Sequence, residues 1–202
     1  AIRVGVDSLE HCYYMNDETV SMLVDNDRWL VPTLTVTDAK HSDPAWLGTM
    51  DDFVVQRLQA VHEVHVESIA KVIAMRGVEK ICTGTDTLPT DLFDDAPATT
   101  RECELLVEAG LTPLQALQAA TGNSADLCEL SDKTGRLKAG LSADILAIQG
   151  KPDQNIRDLR NLSMVMRDGR FVFSKLDSYQ QPLQFIPPEW IDCEKIGTRV
   201  PW

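Results

Sequence analysis

The sequence predicts an α/β fold of parallel βαβ units followed by a small β appendage, and three observations carry that reading. Short apolar runs alternate with stretches of helical periodicity through residue 130. The texture then changes to short β-type runs, and Asp168-Gly169 between two apolar stretches is a hairpin signal.

Taken in order, "VDSLEH" (6–11) is a candidate buried strand, bounded by Gly5 and by the polar turn "NDE". A helix should follow, capped by Asn16 or Asp17, with Val20, Leu23 and Val24 on one face. "WLVPTLTV" (29–36) is a second apolar run, in which Pro32 marks a bulge or the strand's end because it cannot donate a ladder hydrogen bond. After a polar loop, Phe53, Val54, Leu58 and Val61, then Ile69, Val72 and Ile73, have helical spacing up to Gly77, read as a left-handed stop. "KICTGTD" (80–86) is the third strand. Helices are expected at "TRECELLVEAG" and at "TPLQALQAAT", where Thr112 caps and Pro113 occupies the first turn.

This organisation divides the chain into barrel-type units at 1–130, a small β segment at 131–175, and a tail at 176–202 rich in proline and aromatics that should wrap a surface. The opening "AIRVG" reads as the end of a helix rather than the start of a protein.

Composition excludes several function classes. At 44% hydrophobic and 25% charged, the 202 residues can bury a core, which excludes disorder. A formal charge of -12 with no concentrated basic cluster argues against nucleic acid and anionic membrane surfaces as partners. No apolar run approaches the roughly 20 residues of a membrane span, and no signal-peptide layout is present. A cytoplasmic protein is expected. The five cysteines form no C-x-x-C pair and read as reduced thiols.

Two residues stand where strands run out, His11 and Asp86. In a parallel α/β barrel that rim carries the chemistry. Imidazole and carboxylate are both zinc ligands, and a carboxylate beside a metal is placed to act as general base. As a pair alone they carry little, since a strand-end histidine and an Asx turn would look the same. His41 lies in a polar loop, whereas His62 and His65 stand three apart on a helix expected outside the barrel and read as structural, with no third ligand nearby. Tyr13, Tyr14 and Thr87 flank the two positions, where they either touch substrate or pack the rim. Asp91, Asp94 and Asp95 form an acidic loop, either selecting a cationic substrate or simply solvated.

"AIRVGVDSLEH", "PTLTV", "KICTGTDT", "ELLVEAGLTPLQALQAATGNSADL" and "GRLKAGLSADILAI" with "VMRDGRFV", in that order over residues 1–173, resemble the carboxyl-terminal half of the amidohydrolase superfamily, in its imidazolonepropionase-like and prolidase-like branch. The resemblance implies a partial (β/α)8 TIM barrel, strands six to eight, with part of a β-sandwich. It further implies that His11 and Asp86 bind a divalent metal, zinc, one ion or two, and that Asp86 moves the proton in hydrolysis of amide, cyclic amide, dipeptide or related ester bonds. In place of the family's glycine after the strand-six histidine stands Cys12, read as a spectator thiol before a softer ligand or an oxidation-sensitive point. The family's H-x-H pair, bridging lysine and strand-five histidine have no counterpart here. The expectation is therefore an inactive fragment whose partners are a small-molecule substrate and the missing amino-terminal half or a complementary chain, with a homo-oligomer open. The alternative is a truncated paralogue acting as a binding or regulatory subunit.

Overall fold

Three parallel segments lie side by side in the order in which the chain makes them. Strand β1 (Ser8–Glu10) pairs with β2 (Trp29–Val31), with Ser8 opposite Trp29 and Glu10 opposite Val31. Ile81 joins the other side of β2 through a parallel bridge to Leu30, and the Cys82 N–H donates to the Leu30 carbonyl at 2.9 Å. The computed structural model describes residues 1–42, 44–75, 77–87, 92–93 and 96–175. The acidic residues Asp91, Asp94 and Asp95 and the proline-rich tail 176–202 lie outside the described residues.

Helix α1 (Asp17–Asp25) connects the first two strands. Asn16 caps it by accepting from the Thr19 N–H, and its apolar stripe puts Val20 and Leu23 in the core. Beyond β2 the chain turns through two short 3-10 segments (Leu34–Thr37, Ala39–His41) and the four-residue helix α2 (Pro44–Leu47) into the long helix α3 (Asp52–Ala74). A 3-10 turn, Gly77–Lys80, then delivers Ile81. The antiparallel pair β3 (Leu92–Phe93) and β4 (Ala96–Pro97) leads into α4 (Ala98–Glu108). Helix α5 (Pro113–Gln118) carries the expected Thr112 cap as a reciprocal capping box with Gln115. It passes through one π-helical turn (Ala119–Asn123) into α6 (Ser124–Leu127). Fully buried Leu23, Leu30, Leu34, Ile69, Val72, Ile81, Leu105 and Leu106 knit β1, β2, α1, α3 and α4 into one core.

The carboxyl-terminal part is a three-stranded antiparallel sheet, β5 (Ile145–Ile148), β6 (Leu162–Arg167) and β7 (Arg170–Ser174). Its hairpin turns at Asp168 and Gly169, both left-handed at φ 48° and 74°, the geometry that matches strand twist.

Several expected boundaries move. The second strand ends at Val31, because Pro32 offers no ladder donor and Thr33 is left-handed at φ 57°, so 34–37 forms a 3-10 turn. The third strand is reduced to the bridge at Ile81. Gly77 is not a left-handed stop; α3 ends at Met75, and an added Cβ at Gly77 would meet Val72 Cγ1 at 2.5 Å, so close packing demands the glycine. At the other end of α3, Phe53 and Val54 are exposed, since helical spacing cannot say whether a face has a partner.

Candidate active site

The chain breaks from extended geometry at the ends of its parallel segments in a particular way. His11 and Cys12 after β1, Thr33 after β2 and Asp86 after Ile81 all have positive φ, at 65°, 61°, 57° and 50°. Non-glycine residues pay strain in this region, most of all a β-branched threonine, and hold it only where surrounding contacts over-determine the backbone.

For His11 those contacts can be named. Its N–H donates to the Val31 carbonyl at 2.9 Å, and its own carbonyl accepts from His65 Nε2 at 2.8 Å. Its ring Nδ1 lies 2.7 Å from Thr33 Oγ1, which leaves Nε2 as the nitrogen outside that contact. Helix α3 grips the loop further on, where Ser68 donates to the Tyr13 carbonyl and accepts from the Met15 N–H. His65, read from the sequence as structural, is fully buried beneath this loop, edge-on to the Tyr13 ring at 4.5 Å between centroids. Burial pushes its pKa down to about 4, so it is a neutral donor at ordinary pH.

Asp86 is exposed, beyond the third parallel segment. The Tyr13 ring is 5.7 Å from that of His11, and the pKa of its phenol is raised first by burial and then by the Asp86 charge. Tyr14 points outward, 67% exposed. Thr87 Oγ1 is buried without a hydrogen-bond partner among the described residues. Burial, then the Glu10 charge, pushes the Cys12 thiol up to about 11. His62 and His41 face other partners, Thr37 and Asp38, at 2.9 and 2.7 Å.

Two residues that build this rim, Thr33 and Glu102, were not singled out from the sequence. Both carboxylate oxygens of Glu102, on α4, accept from the Leu34 and Thr35 N–H groups at 2.9 and 2.8 Å. The Thr35 hydroxyl, with one proton to give, sits between that carboxylate and the Thr85 carbonyl, 3.0 Å away. A signal for Glu102 did exist: it shares a helical face with Leu105 and Leu106, three and four residues on.

The donor set tests what this chain can hold. Among the described residues no three His, Cys, Asp or Glu side chains converge as a metal site. One imidazole and one carboxylate fit two positions of a catalytic zinc, which takes three protein ligands and leaves a fourth position open.

A sequence model described as the amidohydrolase family matches residues 5–172, and the chain belongs to that family. It falls in the prolidase-like branch. The chain is 29% identical over 163 residues to the ochratoxinase of Aspergillus niger, a match covering 78% of this chain and 31% of that protein. The crystal structure of a Xaa-Pro dipeptidase with methionine bound in its active site superposes with a TM-score of 0.69 at 29% identity, covering 85% of this chain and 41% of the other. That of a putative prolidase from Bifidobacterium longum gives 0.68 at 28% identity, covering 88% and 45%. The chain thus spans 31% to 45% of the length of these relatives.

Proposed function

We propose that the chain is the carboxyl-terminal part of a metal-dependent hydrolase that cleaves carbon–nitrogen bonds, of amides, cyclic amides or dipeptides, or related esters. In this reading the three parallel segments are strands six to eight of a (β/α)8 barrel, and residues upstream of this chain complete the rim. The single observation that supports it is that His11 and Asp86, both left-handed, follow two of three parallel segments hydrogen-bonded side by side. The family membership and the likeness to a Xaa-Pro dipeptidase supply the bond class.

His11 and Asp86 would hold a divalent ion, zinc on the chemistry of the donor set. When bound, that ion supplies Lewis acidity toward a water and a substrate carbonyl. His11 contributes a neutral imidazole lone pair through Nε2, with Nδ1 committed to Thr33. Exposed Asp86 accepts the proton released from the attacking water and returns it to the leaving nitrogen, the work of a carboxylate within hydrogen-bond reach of both. Tyr13, Tyr14 and Thr87, which flank the two positions, would meet substrate on this reading, and the exposure of Tyr14 supports it.

The test is metal content and turnover of the intact protein on a panel of Xaa-Pro dipeptides, N-acyl amides and esters. Asp86→Asn should lower kcat by roughly 100- to 10,000-fold, the usual share of a general acid–base group, with the fold intact by circular dichroism. Unchanged turnover in that variant removes the role from Asp86. Stoichiometric zinc and turnover by the isolated 202 residues would instead show that no upstream ligands are needed.

A further inference from the structure

Thr33 is left-handed, β-branched and buried, and something must hold it there. The two amides that follow it point at Glu102, whose side chain is fully buried and whose two oxygens take one amide each. From that turn two links run to the mouth. Thr33 Oγ1 meets His11 Nδ1 at 2.7 Å, and the Thr35 hydroxyl reaches the carbonyl of Thr85, the residue before left-handed Asp86. One carboxylate therefore stands behind both candidate ligands.

We infer that Glu102 is a positioning residue: by clamping the Leu34–Thr35 amides it fixes Thr33, which sets the ring orientation and tautomer of His11, and Thr35, which steadies the Thr85–Asp86 segment. The inference rests on the reading of His11 and Asp86 as a ligand pair. A hydroxyl in one fixed place selects one imidazole orientation, with the proton on Nδ1 donated to Thr33 and the Nε2 lone pair left for the mouth. The His11 backbone is held independently, by Val31 and His65. Loss of the Glu102 clamp should therefore free the ring and the Thr85–Asp86 segment while the His11 backbone stays in place. That pattern separates positioning from general destabilisation.

The experiment compares Glu102→Gln, Thr33→Val and Thr33→Ser in the intact protein. Three readouts are followed: the His11 tautomer by long-range proton–nitrogen NMR, assigned with His11→Gln; amide hydrogen exchange at Leu34, Thr35, Thr85 and Asp86; and zinc affinity by chelator competition. Thr33→Val should mix the two tautomers and weaken zinc binding roughly 10- to 100-fold, the usual effect of losing a group that orients a ligand. Thr33→Ser, which keeps the hydroxyl, should restore both. Glu102→Gln should speed exchange at Leu34 and Thr35 at least tenfold, shift His11 toward the Thr33→Val pattern and speed exchange at Thr85 and Asp86. A single unchanged tautomer in Thr33→Val, or a Glu102→Gln protein with undisturbed His11 and Thr85–Asp86, overturns the inference. If His11→Gln itself leaves zinc affinity unaltered, the ligand reading fails, and the tautomer and exchange data still decide what Glu102 does.

Discussion

Glu102 is the residue at which charge, burial and hydrogen bonding are most closely balanced. Burial pushes its carboxyl up from 4.5 to about 7, with the Asp38 charge adding to the rise and the Leu34 and Thr35 amides opposing it. Between those two values the native chain keeps a proton that the unfolded chain has released. Stability therefore falls as pH rises through that window and levels off above it. Glu102→Gln has no such titration. Urea unfolding from pH 4 to 8 should show the wild type losing roughly 3 kcal/mol relative to the variant across pH 4.5–7, the worth of such a shift at about 1.4 kcal/mol per pH unit. A pH-independent difference between the two proteins would place Glu102 at its ordinary acidity. Why His11 and Asp86 stand out as candidates in the sequence and Glu102 does not follows from the same physics. Strand ends with distinctive side chains mark themselves locally, whereas a glutamate in a helix reads as surface until the element packed over it is known. His65 reads as structural on an evident helix, but which turn of that helix lies under the loop after β1 is not legible.

Elements were legible where capping and turn chemistry specify them. The Thr112–Pro113–Gln115 start and the Asp168-Gly169 turn stand where the sequence put them, because each is fixed by a few adjacent residues. Thr112→Ala removes the hydroxyl that accepts from the Gln115 N–H and should cost about 1 kcal/mol in denaturant unfolding; no change would mean that packing alone sets the start of α5. Strand lengths were overestimated, since apolar residues such as Leu34 enter the core from a 3-10 turn as readily as from a strand. Helix α4 shows the opposite limit, with Arg101, Glu102 and Glu104 buried along with its leucines. Arg101 donates to Asp38 at 2.7 Å, Glu104 at 3.1 Å and Glu108 at 2.9 Å, and Arg160 donates to Glu104 at 2.6 Å. Burial opposes the Arg101 charge, but its hydrogen bonds to Asp38 and Glu108 outweigh that and raise its pKa. Arg101→Met should destabilise the fold by about 3–5 kcal/mol, because it leaves Asp38 buried without its cation. A loss under 1 kcal/mol would show that water or Arg160 compensates.

For the whole molecule, two surfaces are underused. Among the described residues β1 pairs only with β2, leaving its other edge without a strand, and no residue of β5, β6 or β7 is fully buried although most are apolar. Leu146, Phe171 and Val172 are among the exposed large hydrophobic side chains. An unpaired parallel edge and an uncovered apolar sheet are features a lone domain normally avoids. Both fit a chain that spans 31% to 45% of the length of these relatives, and on the proposed reading residues upstream of this chain would supply a neighbour for β1 and a cover for the sheet. Hydrogen exchange in the 202-residue chain and in the intact protein discriminates this from a self-sufficient domain. In the intact protein the amides of β1 and of β5 to β7 should exchange at least tenfold more slowly, while α4, already buried on most of its faces, should change little. Equal exchange at β1 in the two forms would mean that its edge is not where the upstream half docks, and the barrel register assigned to these three parallel segments would have to be abandoned.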